Sequence, residues 1–304
     1  MIHVHNGDVV AEAAKRTGIE GEHLPFREAL AVGPVPRGVD IETRARFLSG
    51  GYHENLLRLR NGLLDQERAL DAAMDHDEVV LWFEHDLFCL ANLLRLLERF
   101  ATHRRLTLIW SPEPLLNVED LVLQFESRSA VTPIMIEHAR KAWAAFTSPD
   151  PRELNPIIRN EAREFPFLRE AMTLHAARFP STLNGLGIVE QRLLEAIGLA
   201  SADFVAVFGR FDPEPPRLGF GDLEAMRVLR KMSSMGAPLV TMREEDGTPP
   251  KALFARTEVA EKILRGEADA VIVNDPDEWI GGVNITRENV WRWDADRREI
   301  VASS

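Results

Sequence analysis

Residues 78–89 read Glu78-Val79-Val80-Leu81-Trp82-Phe83-Glu84-His85-Asp86-Leu87-Phe88-Cys89. Val79 to Phe83 is an unbroken apolar run of strand length, and an apolar-periodic segment with Leu87, Leu90, Leu93, Leu94 and Leu97 follows within a few residues. This is the pattern of a strand buried on both faces that feeds a helix, with Asp86 placed to cap it. Glu84, His85 and Asp86 fall at the junction. In an open parallel sheet, ligands bind outside the carboxyl ends of the strands, so the junction is a candidate site.

At the start of the chain, Ile2-His3-Val4-His5 alternates like a short strand, and Asn6-Gly7-Asp8 turns it into a helix over Val9 to Arg16. Asp8 has two readings: an N-cap of that helix, or part of a ligand site with His5 and with Gly7, which lets backbone come close. Glu22 to Glu28 reads as a second strand and Arg105 to Trp110 as another. Strands separated by helices make a small α/β layer with parallel pairing. Ala29 to Gly38 holds Gly33, Pro34, Pro36 and Gly38, a rigid irregular loop suited to recognition or to a plain surface crossover. Helices follow over Ile41–Leu48 and Glu54–Met74, separated by a break at Ser49-Gly50-Gly51. Arg44 and Arg46 either bring positive charge to a pocket or sit exposed on their helix.

Residues 117–179 read as helices only, broken by prolines, with His138 and His175 as structural histidines. Beyond Phe179, helices at Ile188–Ile197, Leu223–Met235 and Thr257–Leu264 alternate with strands at Pro238–Met242 and Val271–Val273, the grammar a winged helix requires. Trp279–Ile285 and Val290–Asp294 read as antiparallel strands, with Trp279, Trp291 and Trp293 at a core edge. The expected fold class is therefore α/β: a parallel-sheet domain over 1–116, a helical connector over 117–180, and an α+β winged-helix-like module over 181–304.

Totals exclude several classes. The 304 residues include a single cysteine, Cys89, so an internal disulfide and a cysteine-based zinc cage are excluded, and Cys89 reads as core. Net charge is −12, and residues 181–304 alone carry 15 Lys and Arg against 21 Asp and Glu, which disfavours non-specific nucleic-acid binding. No apolar run reaches membrane-spanning length and the first residues lack a leader pattern, so the expectation is a cytoplasmic protein with no membrane partner. Neither G-x-G-x-x-G nor a P-loop pattern occurs. Nothing in the pattern sets the oligomeric state.

Taken together, Asn6-Gly7-Asp8, Gly33-Pro34-Val35, Leu81–Leu87, Asn184-Gly185-Leu186, Trp279-Ile280-Gly281-Gly282 and Trp291–Asp294 resemble the bacterial family catalogued as domain of unknown function 1835. The resemblance implies a Rossmann-like front domain and a winged-helix-like C-terminal part, and it brings no activity. From the residues themselves, the expected function is binding of a small phosphate-containing or nucleotide-like ligand by Asn6, Gly7, Asp8, Gly33, Pro34, Arg44, Glu84 and Asp86. A metal-dependent phosphoester hydrolase or phosphotransferase is the first alternative, with Mg²⁺ or Mn²⁺ on Asp8, Glu84 and Asp86 and with His5 or His85 as acid or base. A ligand-responsive DNA-binding regulator using Arg227, Arg230 and Lys231 is the second. Strand alternation turns Glu84 and His85 to opposite sides, and this narrows the candidates to Glu84 or Asp86 acting with Asp8.

Overall fold

The computed structural model describes residues 1–115, 117–212, 217–245 and 251–303; the expected boundary at residue 116 lies outside them. A five-stranded sheet forms the first part, in the order β2-β1-β3-β4-β5. Its elements are β1 (Ile2–Asn6), α1 (Asp8–Arg16), β2 (Glu22–Phe26), α2 (Ile41–Tyr52), α3 (Leu56–Ala73), β3 (Val79–Glu84), α4 (Leu87–Arg99), β4 (Leu106–Ser111), α5 (Val118–Glu126) and β5 (Ser129–Ala130). The first four strands in that order are parallel, and only the two-residue β5 is antiparallel.

The apolar run in β3 does not alternate because both of its faces are covered. Val79, Leu81 and Phe83 join Ile2, Val4 and the α4 leucines in one core, while Val80 and Trp82 join Val10, Ala13, Ala14 and Leu121 in another. β3 therefore lies between helical layers, as strands of parallel sheets do. Polar caps set the helix starts: Asp86 accepts from Cys89 N, Asp40 from Thr43 N and Asn55 from Arg58 N.

The chain continues through α6 (Pro133–Phe146), a 3₁₀ turn at Pro151–Leu154, α7 (Asn155–Arg159) and α8 (Leu168–Ala176), with α6 and α8 packed on α4. There follow α9 (Ile188–Ile197), β6 (Ala202–Asp203), α10 (Phe204–Phe211), α11 (Asp222–Ser234), β7 (Val240–Glu245), β8 (Lys251–Arg256), α12 (Glu258–Leu264) and α13 (Ala270–Val273). β6, β8 and β7 make an antiparallel sheet in that order. Two hairpins end the chain, β9 (Glu278–Ile280) with β10 (Val283–Ile285), and β11 (Trp291–Asp294) with β12 (Glu299–Ala302). Asn155 bonds both N and O of Ile300, so the last strand returns to the middle helices. The main core cluster runs without interruption from Ile2 through Phe146 and Phe179 to Phe254 and Ile300. No helix of the described residues is long and apolar enough to cross a membrane.

Several expectations are corrected. The Gly50-Gly51 pair does not break α2, which runs to Tyr52 and ends at His53 in the left-handed region; an interior glycine weakens a helix by only about 1 kcal/mol. Val271–Val273 is helical, because Asp269 caps the amides of Val271 and Ile272. Residues 129–130 add a strand to a stretch expected to be helical throughout. Asp8 is not a cap: Gly7 occupies that position, and Asp8 begins the helix.

The loop after β2 differs most from expectation, since Leu30 to Val35 is buried rather than a surface crossover or a recognition loop. Its backbone is satisfied from inside. Arg44, expected on the surface or in a pocket, is 3% exposed and donates to the carbonyls of Ala29, Val32 and Pro34 and to Glu28. Arg178 donates to Ala31 O, and Val35 N donates to Gly281 O. A buried loop is tolerated only with such a full set of partners.

Candidate functional site

The carboxyl end of β3 carries the site upward from single hydrogen bonds. Glu84 is the last strand residue, and its Oε1 accepts from Leu115 N at 2.7 Å. His85 N still continues the sheet by donating to Ser111 O, and Asp86 then turns the chain into α4, with its Oδ1 accepting from Cys89 N at 2.6 Å. Cys89 stands one helical turn above Asp86, so both point to one side. Asn6, at the end of β1, donates to Cys89 Sγ at 2.9 Å and accepts from Asn92 Nδ2 at 2.8 Å. Asn92 in turn donates to Glu28 O and accepts from Leu30 N. One polar line thus runs from Asp86 to the buried loop.

Glu84, Asp86 and Cys89 each place a ligand atom within 4.8 Å of the others. Burial raises the Glu84 carboxyl above its ordinary range. Burial pushes the Asp86 carboxyl up to about 7, with Glu84 and Asp212 adding to the effect against the pull of the cap hydrogen bond. The Cys89 thiol is raised by burial and by the two carboxylates. Among the described residues, no lysine, arginine or histidine forms an ion pair with Glu84 or Asp86. Carboxylates buried without a cation are costly.

A segment far along the chain closes this end. Leu87 N donates to Arg217 O at 2.9 Å and Phe88 N to Leu218 O at 3.1 Å. Gly219 lies at φ +68, and a Cβ there would stand 2.3 Å from Asp86 Oδ1, so only glycine fits. Asp212 steadies the segment by accepting from Leu218 N and Gly219 N. The first-turn amides of α4 are consequently spent on Asp86 and on two carbonyls. A helix N-terminus whose amides are spent does not bind phosphate.

The other candidates lie elsewhere. Asp8 is exposed and held by Arg27 in a two-pronged pair, closest at 2.6 Å; the Arg27 guanidinium keeps its carboxyl below the usual range. His5 projects from the opposite sheet face to Asn6, where it shares a 2.9 Å hydrogen bond with His23, stacks on that ring and packs at a tilt against Trp82. His85 packs 4.5 Å from the Trp110 ring and parallel to Phe167, with Nε2 unpartnered. Gly33 and Pro34 belong to the buried loop, and Arg44 of α2 is spent on its carbonyls and on Glu28. Of the expected site residues, Asn6, Glu84 and Asp86 come together. Cys89, Asn92 and Asp212 were not expected; the spacing of Asp86, Cys89 and Asn92, three residues apart on one helix, was the available signal. No family model matches the chain, and no curated protein matches it.

Proposed function

We propose that the protein binds a divalent cation through Glu84, Asp86 and Cys89. The observation that carries this is the trio of donor atoms within 4.8 Å, two of them carboxyls raised by burial and without a basic partner. The thiol favours Zn²⁺ over Mg²⁺, and the two carboxylates also suit Mn²⁺. A phosphate-containing or nucleotide-like ligand would be held through the cation, because the α4 amides are taken. Binding is favoured over hydrolysis: His5 is on the other sheet face, and His85 is stacked on Phe167 and packed at a tilt against Trp110. The expected result is a rise in melting temperature with Zn²⁺ or Mn²⁺, about 2.7 kcal/mol of stabilisation at 100-fold excess over Kd. Asp86→Asn keeps the cap but removes the charge, so it and Glu84→Gln should abolish the rise. A wild-type melting curve unmoved by either ion at millimolar concentration overturns the proposal.

The order α9-β6-α10-α11-β7-β8, with β8 between β6 and β7, supports a winged-helix reading of that segment. The charges of α11 favour an internal packing role for it. Arg227 is paired with Glu224 and Glu278, Lys231 with Glu278, and Tyr52 of α2 donates to Glu224. The sheet order 2-1-3-4 similarly supports a Rossmann-like reading of the first part. Both agree with the architecture that the resemblance to domain of unknown function 1835 implies.

A further inference from the structure

A cavity of about 160 Å³ lies between α9, α11, α13 and the β9–β10 hairpin, and neither Glu84 nor Asp86 lines it. Leu186, Met235, Leu239, Ile280 and Ile285 make its walls mostly apolar. An apolar cavity of about 150 Å³ accommodates a benzene ring. The wall is built in advance of any occupant. Ser181 N bonds Leu186 O, Gly185 N bonds Ser181 O, and Ala270 N bonds Asn184 O. Gly185 (φ +74) lies so close to Asp269 that a Cβ would stand 2.5 Å from its Oδ1, and Arg292 clamps that same carboxylate. A pocket held in this way loses little entropy on binding.

The charged groups at one end are not equivalent. Glu278 already has Lys231 and Arg227, and Nη1 of Arg178 donates to Ala31 O. Glu190, in the first turn of α9, has no ion pair among the described residues. Burial raises its carboxyl and the neighbouring Glu278 raises it further, while Lys231 and Arg178, which line the same cavity, pull it partly back. Asp275 and Asp277 line the same cavity and add negative charge at its exposed side. Four carboxylates (Glu190, Asp275, Asp277 and Glu278) face two cations, Arg178 and Lys231, so this end of a ring-sized apolar chamber carries net negative charge and suits a further cation.

We infer that this cavity binds a small primary amine with an apolar body, its ammonium on Glu190 and its ring among Leu186, Leu239 and Ile285. Calorimetric titration of the full chain with 2-phenylethylamine, 2-phenylethanol and phenylacetate tests it, since the three share a body and differ in charge. The amine should bind at least tenfold more tightly than the alcohol, and phenylacetate more weakly than either. Glu190→Gln should reduce the amine to the level of the alcohol while leaving the alcohol unchanged. Met235→Trp, at the partly exposed rim, should block all three with circular dichroism unaltered. Equal affinity for amine and phenylacetate, amine binding unaffected by either substitution, or no binding of the amine at millimolar concentration would each overturn the assignment. The wild-type ranking decides even where a variant fails to fold.

Discussion

His3, His5 and His23 form a stack on the α1 side of the sheet, with His3 and His23 ring centres 4.6 Å apart and His5 and His23 5.2 Å apart. Burial holds His3 at about 4 and His5 at about 2, and it lowers His23 as well. In the unfolded chain each returns to about 6.5, so between that value and the folded one the unfolded state binds more protons. Stability is therefore full above about pH 6.5 and falls as pH drops, by up to about 1.4 kcal/mol per unit for each of the buried pair His3 and His5, with the half-buried His23 adding less because solvent screens it. The fall continues below pH 4 on His5. Urea midpoints measured from pH 7.5 to pH 5 should show this slope, and His5→Phe should make it shallower. Single residues were the least legible level of the sequence. Arg44 sits four residues before Leu48 on the buried stripe of α2, a position that its charge argued against. Only the folded loop shows the three carbonyls that bring it inside.

At the level of elements, legibility followed agreement between signals. The β3–α4 junction was readable because an apolar run, an Asp cap and a helical period all coincide at residues 79–97. Val271–Val273 was not, since three β-branched residues carry no period and Asp269 decides the local conformation. α10 and β8 were missed for want of a clear boundary. The same limit applies to α11: Arg227, Arg230 and Lys231 form a basic face in sequence, but Glu278, which neutralises two of them, is some fifty residues away. Free basic groups are what a DNA contact requires. Mixed duplex DNA should therefore show no binding at low ionic strength in a fluorescence anisotropy titration. Salt-sensitive micromolar binding would restore the regulator.

Across the whole molecule, long-range contacts decide what pattern cannot. Arg217, Leu218 and Gly219 cover the start of α4, and the cavity wall draws on residues from Arg178 to Ile285; no local spacing announces either. Gly219→Ala tests the cover directly. It places a Cβ against Asp86 at a positive φ and should cost about 1–3 kcal/mol. Chemical denaturation should register that loss while the far-ultraviolet spectrum stays native.

That cover also sets a timetable. Roughly 130 residues separate Asp86 from Gly219, and at 5–20 residues per second a ribosome takes about 7–27 s to synthesise them. Throughout that interval the nascent chain presents two α4 amides and a carboxylate that the finished protein hides. Synthesis rate, as well as equilibrium stability, therefore governs how long this junction is open to water, to ions and to other chains.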